Sequence, residues 1–197
     1  MTVPEAVYGL VLAGGRSRRM GSDKAALMTG GQTQLGRAAG LLERYLDAVF
    51  VSTRPDQAKD PLRRAYQQIV DRYEDLGPVA GILSAMDEYP AVSWLVLACD
   101  LPHVDDQTIG FLLENASDAH PATAFRSIVD QLPEPLCAIY RPGSRRIIDS
   151  FIAEGIACPR KMLIGSPTCI LEQPNPGALH NINTPEDLHG TGIDPAT

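Results

Sequence analysis

Six consecutive residues, Ser93–Ala98 (SWLVLA), constrain the fold more than any other stretch of the chain. They are apolar on both faces and lack the alternation of a half-exposed strand. A strand of this kind needs cover on both sides, as a central strand of a parallel sheet has. It ends at Cys99-Asp100, so a carboxylate sits where the strand empties.

The neighbouring sequence supplies matching parts. Apolar or β-rich runs occur at Ala6–Leu12, Ala48–Thr53, Gln68–Val70, Ala122–Arg126, Leu136–Tyr140 and Thr168–Leu171. Between them lie helical patterns. Gln34–Leu46 repeats apolar residues at helical spacing through Leu35, Ala38, Ala39, Leu42 and Leu46. Gln57–Tyr66 is polar and read as helical. Val79–Asp87 follows Gly77-Pro78, with proline near the start where a missing N–H costs little. Asp105–Asn115 carries Asp105 and Asp106 at its positive end. Ser144–Glu154, a short Arg160–Ile164 and a final helix opened by Thr184-Pro185-Glu186-Asp187 complete the set. Pro133 and Pro135 are expected to form a turn between two strands, and the tail from Gly190 is expected to fray. Alternation of strand and helix predicts an α/β/α three-layer sandwich with a mostly parallel sheet, in one domain spanning residues 1–197.

Open sheets of this type bind ligands beyond the carboxyl ends of their strands. Three such ends carry polar features: the loop after Leu12, Asp71, and Asp100. The loop, Leu12–Lys24 (LAGGRSRRMGSDK), holds three glycines, three arginines and a lysine. Gly14 and Gly15 would let backbone N–H groups approach phosphate oxygens. Arg18, Arg19 and Lys24 would supply charge, arginine as a fork and lysine as a point. The spacing is neither that of a Walker A loop nor that of a dinucleotide fingerprint. A solvated basic turn is the bland reading of the same residues.

Net charge is -7, so the positive loop reads as a local anion site and nucleic acid is not expected as a partner. No apolar run approaches the ~20 residues of a membrane span. The opening MTVPEAVYGL shows no secretory pattern, which points to the cytoplasm. Cys99, Cys137, Cys158 and Cys169 lack metal-site spacing and are expected to be reduced core thiols.

Asp100 has two readings, a Mg²⁺ ligand or a loop cap, because Mg²⁺ takes one or two carboxylates plus phosphate oxygens. Asp71 is a ligand-binding candidate or an ordinary turn aspartate. Asn181 and Asn183 flank Ile182 and would point the same way in an extended segment, towards a ligand or as loop caps. Arg145-Arg146 are expected on a solvated helix face. Arg160-Lys161 read as a surface cluster, with contact to an anionic substrate as the alternative. His103 lies nearest the proposed site, and no histidine has triad companions.

These motifs resemble those of the molybdenum cofactor guanylyltransferases, the MobA-like nucleotidyltransferases. Their signature L-A-G-G-x-S-x-R-M-G-x-D-K matches Leu12–Lys24. Asp71, GPVAG at Gly77–Gly81, ACDLP at Ala98–Pro102, EPLCAIY at Glu134–Tyr140 and NINTPEDL at Asn181–Leu188 follow in the family's order. The resemblance covers roughly residues 6 to 188. It implies a Rossmann-like fold of the nucleotide-diphospho-sugar transferase type and transfer of GMP from GTP to molybdopterin, releasing pyrophosphate. It also implies nucleotide contacts by Leu12, Ala13, Gly14, Gly15, Lys24, Asp71 and Asp100. Arg19 and Lys24 would neutralise the leaving pyrophosphate, Asp100 would hold Mg²⁺, and Asn181 and Asn183 would lie near the active site. Contact with molybdoenzymes would be transient. Ser52-Thr53 depart from the family, where an asparagine can stand. Gly15 is typical of the guanylyl branch. Cytidylyl or sugar-phosphate transfer, and a non-catalytic nucleotide-binding module, are the alternatives.

Overall fold

The structure is a computed structural model and describes residues 6–15, 23–181 and 193–194. Seven strands form the main sheet: β1 (Val7–Leu12), β4 (Val49–Thr53), β5 (Gln68–Val70), β6 (Ser93–Ala98), β7 (Ala122–Arg126), β8 (Pro133–Tyr140) and β9 (Thr168–Leu171). Their order is β5-β4-β1-β6-β8-β7-β9. β1, β4, β5 and β6 are mutually parallel, and β8 runs antiparallel between β6 and β7.

Six α-helices among the described residues cover the sheet: α1 (Gln34–Glu43), α2 (Pro61–Arg64), α3 (Pro78–Glu88), α4 (Asp106–Glu114), α5 (Ser144–Ala153) and α6 (Pro159–Ile164). The strand SWLVLA is buried along its whole length. Its side chains divide between two cores. Leu95 and Leu97 join Leu35, Leu42, Ile109 and Leu112 from α1 and α4. Trp94 and Val96 join Ile82 and Met86 from α3, Ile148 from α5 and Met162 from α6. The three-layer arrangement follows from a strand with no polar face.

Three local expectations are corrected, and one element is added. Residues 57–66 do not form one helix. Asp60, which precedes Pro61, is extended, and only Pro61–Arg64 is helical. Pro133 and Pro135 lie in β8, and the turn precedes them at 127–132. Pairing of β8 with β6 begins only at Cys137, so the proline segment has one unpaired edge where a missing donor is tolerated. A hairpin unmarked in the sequence reading joins β2 (Met28–Thr29) to β3 (Gln32–Thr33) through Gly30-Gly31. The tail is not wholly frayed: β10 (Ile193–Asp194) pairs antiparallel with β2. The expected helix at Thr184–Asp187 lies outside the described residues.

Candidate active site

The carboxyl ends of four parallel strands lie side by side. Leu12 pairs with Ser52 on one side and Ala98 on the other, and Thr53 pairs with Val70. Backbone bonds extend this alignment past the strands. Ala13 N–H donates to Ser52 O at 3.2 Å, Cys99 N–H to Leu12 O at 3.3 Å, and Asp71 N–H to Thr53 O at 2.8 Å. Ala13–Gly15, Arg54, Asp71 and Asp100 therefore share one edge of the sheet.

Lys24 opens a 3-10 turn, Lys24–Ala26, capped by Asp23 through the Ala25 N–H at 3.1 Å. The turn carries the Lys24 ammonium back over the sheet edge, where Nζ donates to Asp100 Oδ2 at 2.9 Å. Both side chains are largely shielded, 16% and 21% exposed. The other oxygen, Asp100 Oδ1, is buried and has no hydrogen-bond partner among the described residues. A buried carboxylate oxygen normally has a partner, so this one is a candidate position for a cation or donor.

Asp71 lies on the far side of β1. Ser52 Oγ donates to its Oδ1 at 2.8 Å. Burial pushes its pKa up to about 6, against the Ser52 hydrogen bond and the charge of Arg54. Gly14 sits directly against it: a Cβ there would lie 3.3 Å from Asp71 Oδ2. This close approach is what the first loop glycine permits. Gly15 is different, since a Cβ on it would meet nothing within 4 Å among the described residues. Of the two loop glycines, Gly14 is the one packed closely against a described side chain.

The GPVAG segment completes this wall. Gly77 caps α3 with φ of +56°, a left-handed conformation suited to glycine. Gly81 packs so close to β4 that a Cβ would fall 2.3 Å from Ser52 Oγ. The helix start is thus pressed against the serine that holds Asp71.

Three arginines without any sequence motif hold these loops. Arg63 donates to Ala13 O at 3.2 and 2.7 Å and to both Asp23 oxygens at 2.7 and 3.1 Å. Arg54 donates to Gly14 O at 2.6 Å. Arg37 donates to Leu101 O at 3.1 Å and to Val104 O at 3.0 Å, fixing the loop after Asp100. Their partners are mostly backbone carbonyls, which have no sequence signature.

Asn181 is exposed and lines a cavity of about 300 Å³ with Ser127, Asp130, Glu134, Arg160 and Gln173. Because Leu97 pairs with Cys137, the residues of β8 before Cys137 run past the carboxyl end of β6. The cavity opens on the same edge as Asp100. Arg160, expected in a surface cluster, is held by Asp130 and Glu134, both at 2.7 Å. Arg145 is likewise no freely solvated group: it pairs with Asp87 and Asp149 and donates to Tyr73 Oη at 3.1 Å. Cys158 is exposed and is not a core thiol. Arg18, Arg19 and Asn183 lie outside the described residues.

Comparison with known proteins agrees with this geometry. The model of the MobA-like NTP transferase domain matches residues 9–164. A Synechocystis protein named "Molybdenum cofactor biosynthesis bifunctional protein" is 37% identical over 181 residues. That match takes in 92% of the chain, which spans about half (52%) of this relative. A Natronomonas pharaonis protein named "Probable molybdenum cofactor guanylyltransferase" is 30% identical, over 91% of this chain and 94% of its own. Among solved structures, the molybdopterin-guanine dinucleotide biosynthesis protein A of Archaeoglobus fulgidus has the same fold. Its TM-score is 0.75 at 23% identity, covering 94% of this chain and 96% of that one. The domain match covers most of the chain and the Natronomonas relative is matched nearly end to end, so the chain belongs to the MobA-like NTP transferase family.

Proposed function

We propose that this chain transfers GMP from GTP to the terminal phosphate of molybdopterin and releases pyrophosphate. The observation that carries the reading is the Lys24–Asp100 pair, with Asp100 Oδ1 lacking a partner among the described residues, beside a glycine loop on one sheet edge. The name of the Natronomonas relative, a probable molybdenum cofactor guanylyltransferase, supports the same reaction.

The chemistry asks little covalent work of the protein. The acceptor phosphate has a second pKa near ~6 and is mostly a dianion at neutral pH. Its oxygen attacks the α-phosphorus of GTP, the bond to the β-phosphate oxygen breaks, and the electron pair leaves with pyrophosphate. Alignment and charge stabilisation are what the site must supply. The backbone of Leu12, Ala13, Gly14 and Gly15 would hold the nucleotide. Lys24 and Arg19 would neutralise the leaving pyrophosphate. Asp71, as a carboxylate, would accept N–H groups of the base beside Gly77–Gly81.

Asp100 suits Mg²⁺. Its unpartnered oxygen is a hard donor, and no cluster of three metal-binding side chains occurs among the described residues. That donor set fits an ion shared with substrate phosphates, not an all-protein cage. Bound there, Mg²⁺ would neutralise charge on the phosphate oxygens. Asn181 and Asn183 would serve the acceptor side, where the cavity around Asn181 has room for part of a pterin. We place the reaction in one domain in the cytoplasm, with transient contact to molybdoenzymes. No helix among the described residues is long and apolar enough to cross a membrane.

The test is turnover with molybdopterin and Mg²⁺, given GTP or CTP separately, with pyrophosphate measured. Release with GTP alone supports the proposal. Release with CTP alone moves it to cytidylyl transfer, and nucleotide binding without release for any acceptor moves it to a non-catalytic module.

A further inference from the structure

Arg63 is 1% exposed, yet its guanidinium does not serve the substrate edge directly. It lies behind the glycine loop and touches both ends of it. Nε and Nη2 donate to the carbonyl of Ala13, where the loop leaves β1. Nη1 and Nη2 donate to the carboxylate of Asp23, where the loop returns. Asp60, three residues earlier, accepts a further bond from Nη1 at 2.6 Å. A planar fork can hold a carbonyl and a carboxylate at once, which an ammonium cannot do as well.

The consequence is local to the nucleotide site. Gly14 and Gly15 directly follow Ala13, and Lys24 directly follows Asp23. Fixing the Ala13 carbonyl fixes the peptide plane whose N–H belongs to Gly14. Fixing Asp23 fixes the cap of the turn that carries Lys24 to Asp100. We propose that Arg63 is a positioning residue for the triphosphate: by tying the Ala13 carbonyl to the Asp23 carboxylate, it sets the spacing between the loop amides and the Lys24 ammonium. This rests on the nucleotidyl-transfer reading, but it concerns a residue that never meets the nucleotide.

The measurement is GTP kinetics and inorganic pyrophosphate binding for wild type, Arg63→Lys, Arg63→Met and Asp60→Ala, with thermal melts of each. Asp60 shares Arg63 Nη1 with Asp23, so Asp60→Ala removes one anchor of Arg63 while leaving its groups for Ala13 and Asp23 in place. The expected result is a KM for GTP raised about tenfold or more in Arg63→Met, as small misplacements cost in such sites. Arg63→Lys should be intermediate, and Asp60→Ala, which keeps the guanidinium, should lose least. Pyrophosphate affinity should fall in the same order. If Arg63→Met does not fold, Arg63→Lys decides: wild-type KM and pyrophosphate affinity in it would overturn the proposal. KM losses that track the melting temperatures across all three variants would also overturn it, leaving a purely structural role. Should wild type bind pyrophosphate but transfer nothing from GTP, the transfer reading fails. The Arg63 proposal then stands or falls on the pyrophosphate series.

Discussion

Lys24 and Asp100 lie 76 residues apart in the chain, and the ammonium of one donates to Oδ2 of the other at 2.9 Å. The pair joins the end of the glycine loop to the end of the central strand. One carboxylate oxygen is held by the lysine and the other has no hydrogen-bond partner among the described residues.

Removing the carboxylate should therefore affect turnover much more than folding. Asp100→Ala is expected to reduce Mg²⁺-dependent pyrophosphate release by about 100-fold or more, the scale of losing a principal electrostatic group. Its circular dichroism should match wild type. Lys24→Ala should raise the KM for GTP and slow transfer as well. Wild-type kinetics in either variant, measured by coupled pyrophosphate assay, would contradict the assigned role.

In its proposed role, Asp71 should make stability and binding respond to pH in opposite directions. Its folded-state pKa, about 6, stands above the ordinary 3.8 because of burial. A raised carboxyl pKa means that the fold favours the proton. The associated stability is fully present below pH 3.8 and is lost as pH rises through about 6. Asp71→Asn should therefore melt higher than wild type at pH 7.5, with the gap closing near pH 4. In the role proposed for it, Asp71 accepts from the base as a carboxylate, so the KM of wild type for GTP should rise as pH falls below 6, and this limb should vanish in Asp71→Asn. A melting gap independent of pH would rule out this account of the carboxyl.

Gly81 ties the helix start to the same carboxyl. An alanine there puts its Cβ 2.3 Å from Ser52 Oγ, so the serine or the helix must move. Gly81→Ala should cost about 1–3 kcal/mol in urea denaturation, as overpacking does, and should weaken GTP binding by disturbing Asp71. Gly110 gives the contrast. It lies in α4, and its Cβ would stand 3.7 Å from the Tyr45 ring. Gly110→Ala should be neutral or stabilise by about 0.5–1 kcal/mol. Equal effects at the two sites would show that packing against Ser52 is not tight.

Much of the fold was legible because its cause is local. SWLVLA has no polar face, so burial on both sides followed from composition. The strand ends also marked the site, since parallel strands must put Leu12, Val70 and Ala98 at one edge. What stayed hidden depends on long-range geometry. Nothing in DPLRRAY distinguishes Arg63 from Arg64, yet only Arg63 is fully buried against the glycine loop. Pro133 and Pro135 suggested a turn because the sequence does not reveal that β6 stops short of them. The β2–β3 hairpin has only two residues per strand, too few to establish an alternating pattern.

The central claim is that the edge holding Gly14, Lys24, Asp71 and Asp100 performs guanylyl transfer. The most direct measurement is pyrophosphate release by the purified chain with molybdopterin and Mg²⁺, with GTP and CTP in separate reactions and Asp100→Ala alongside. The account predicts release with GTP, little with CTP and almost none from the variant. Release with CTP alone, or release from Asp100→Ala at the wild-type rate, would contradict it.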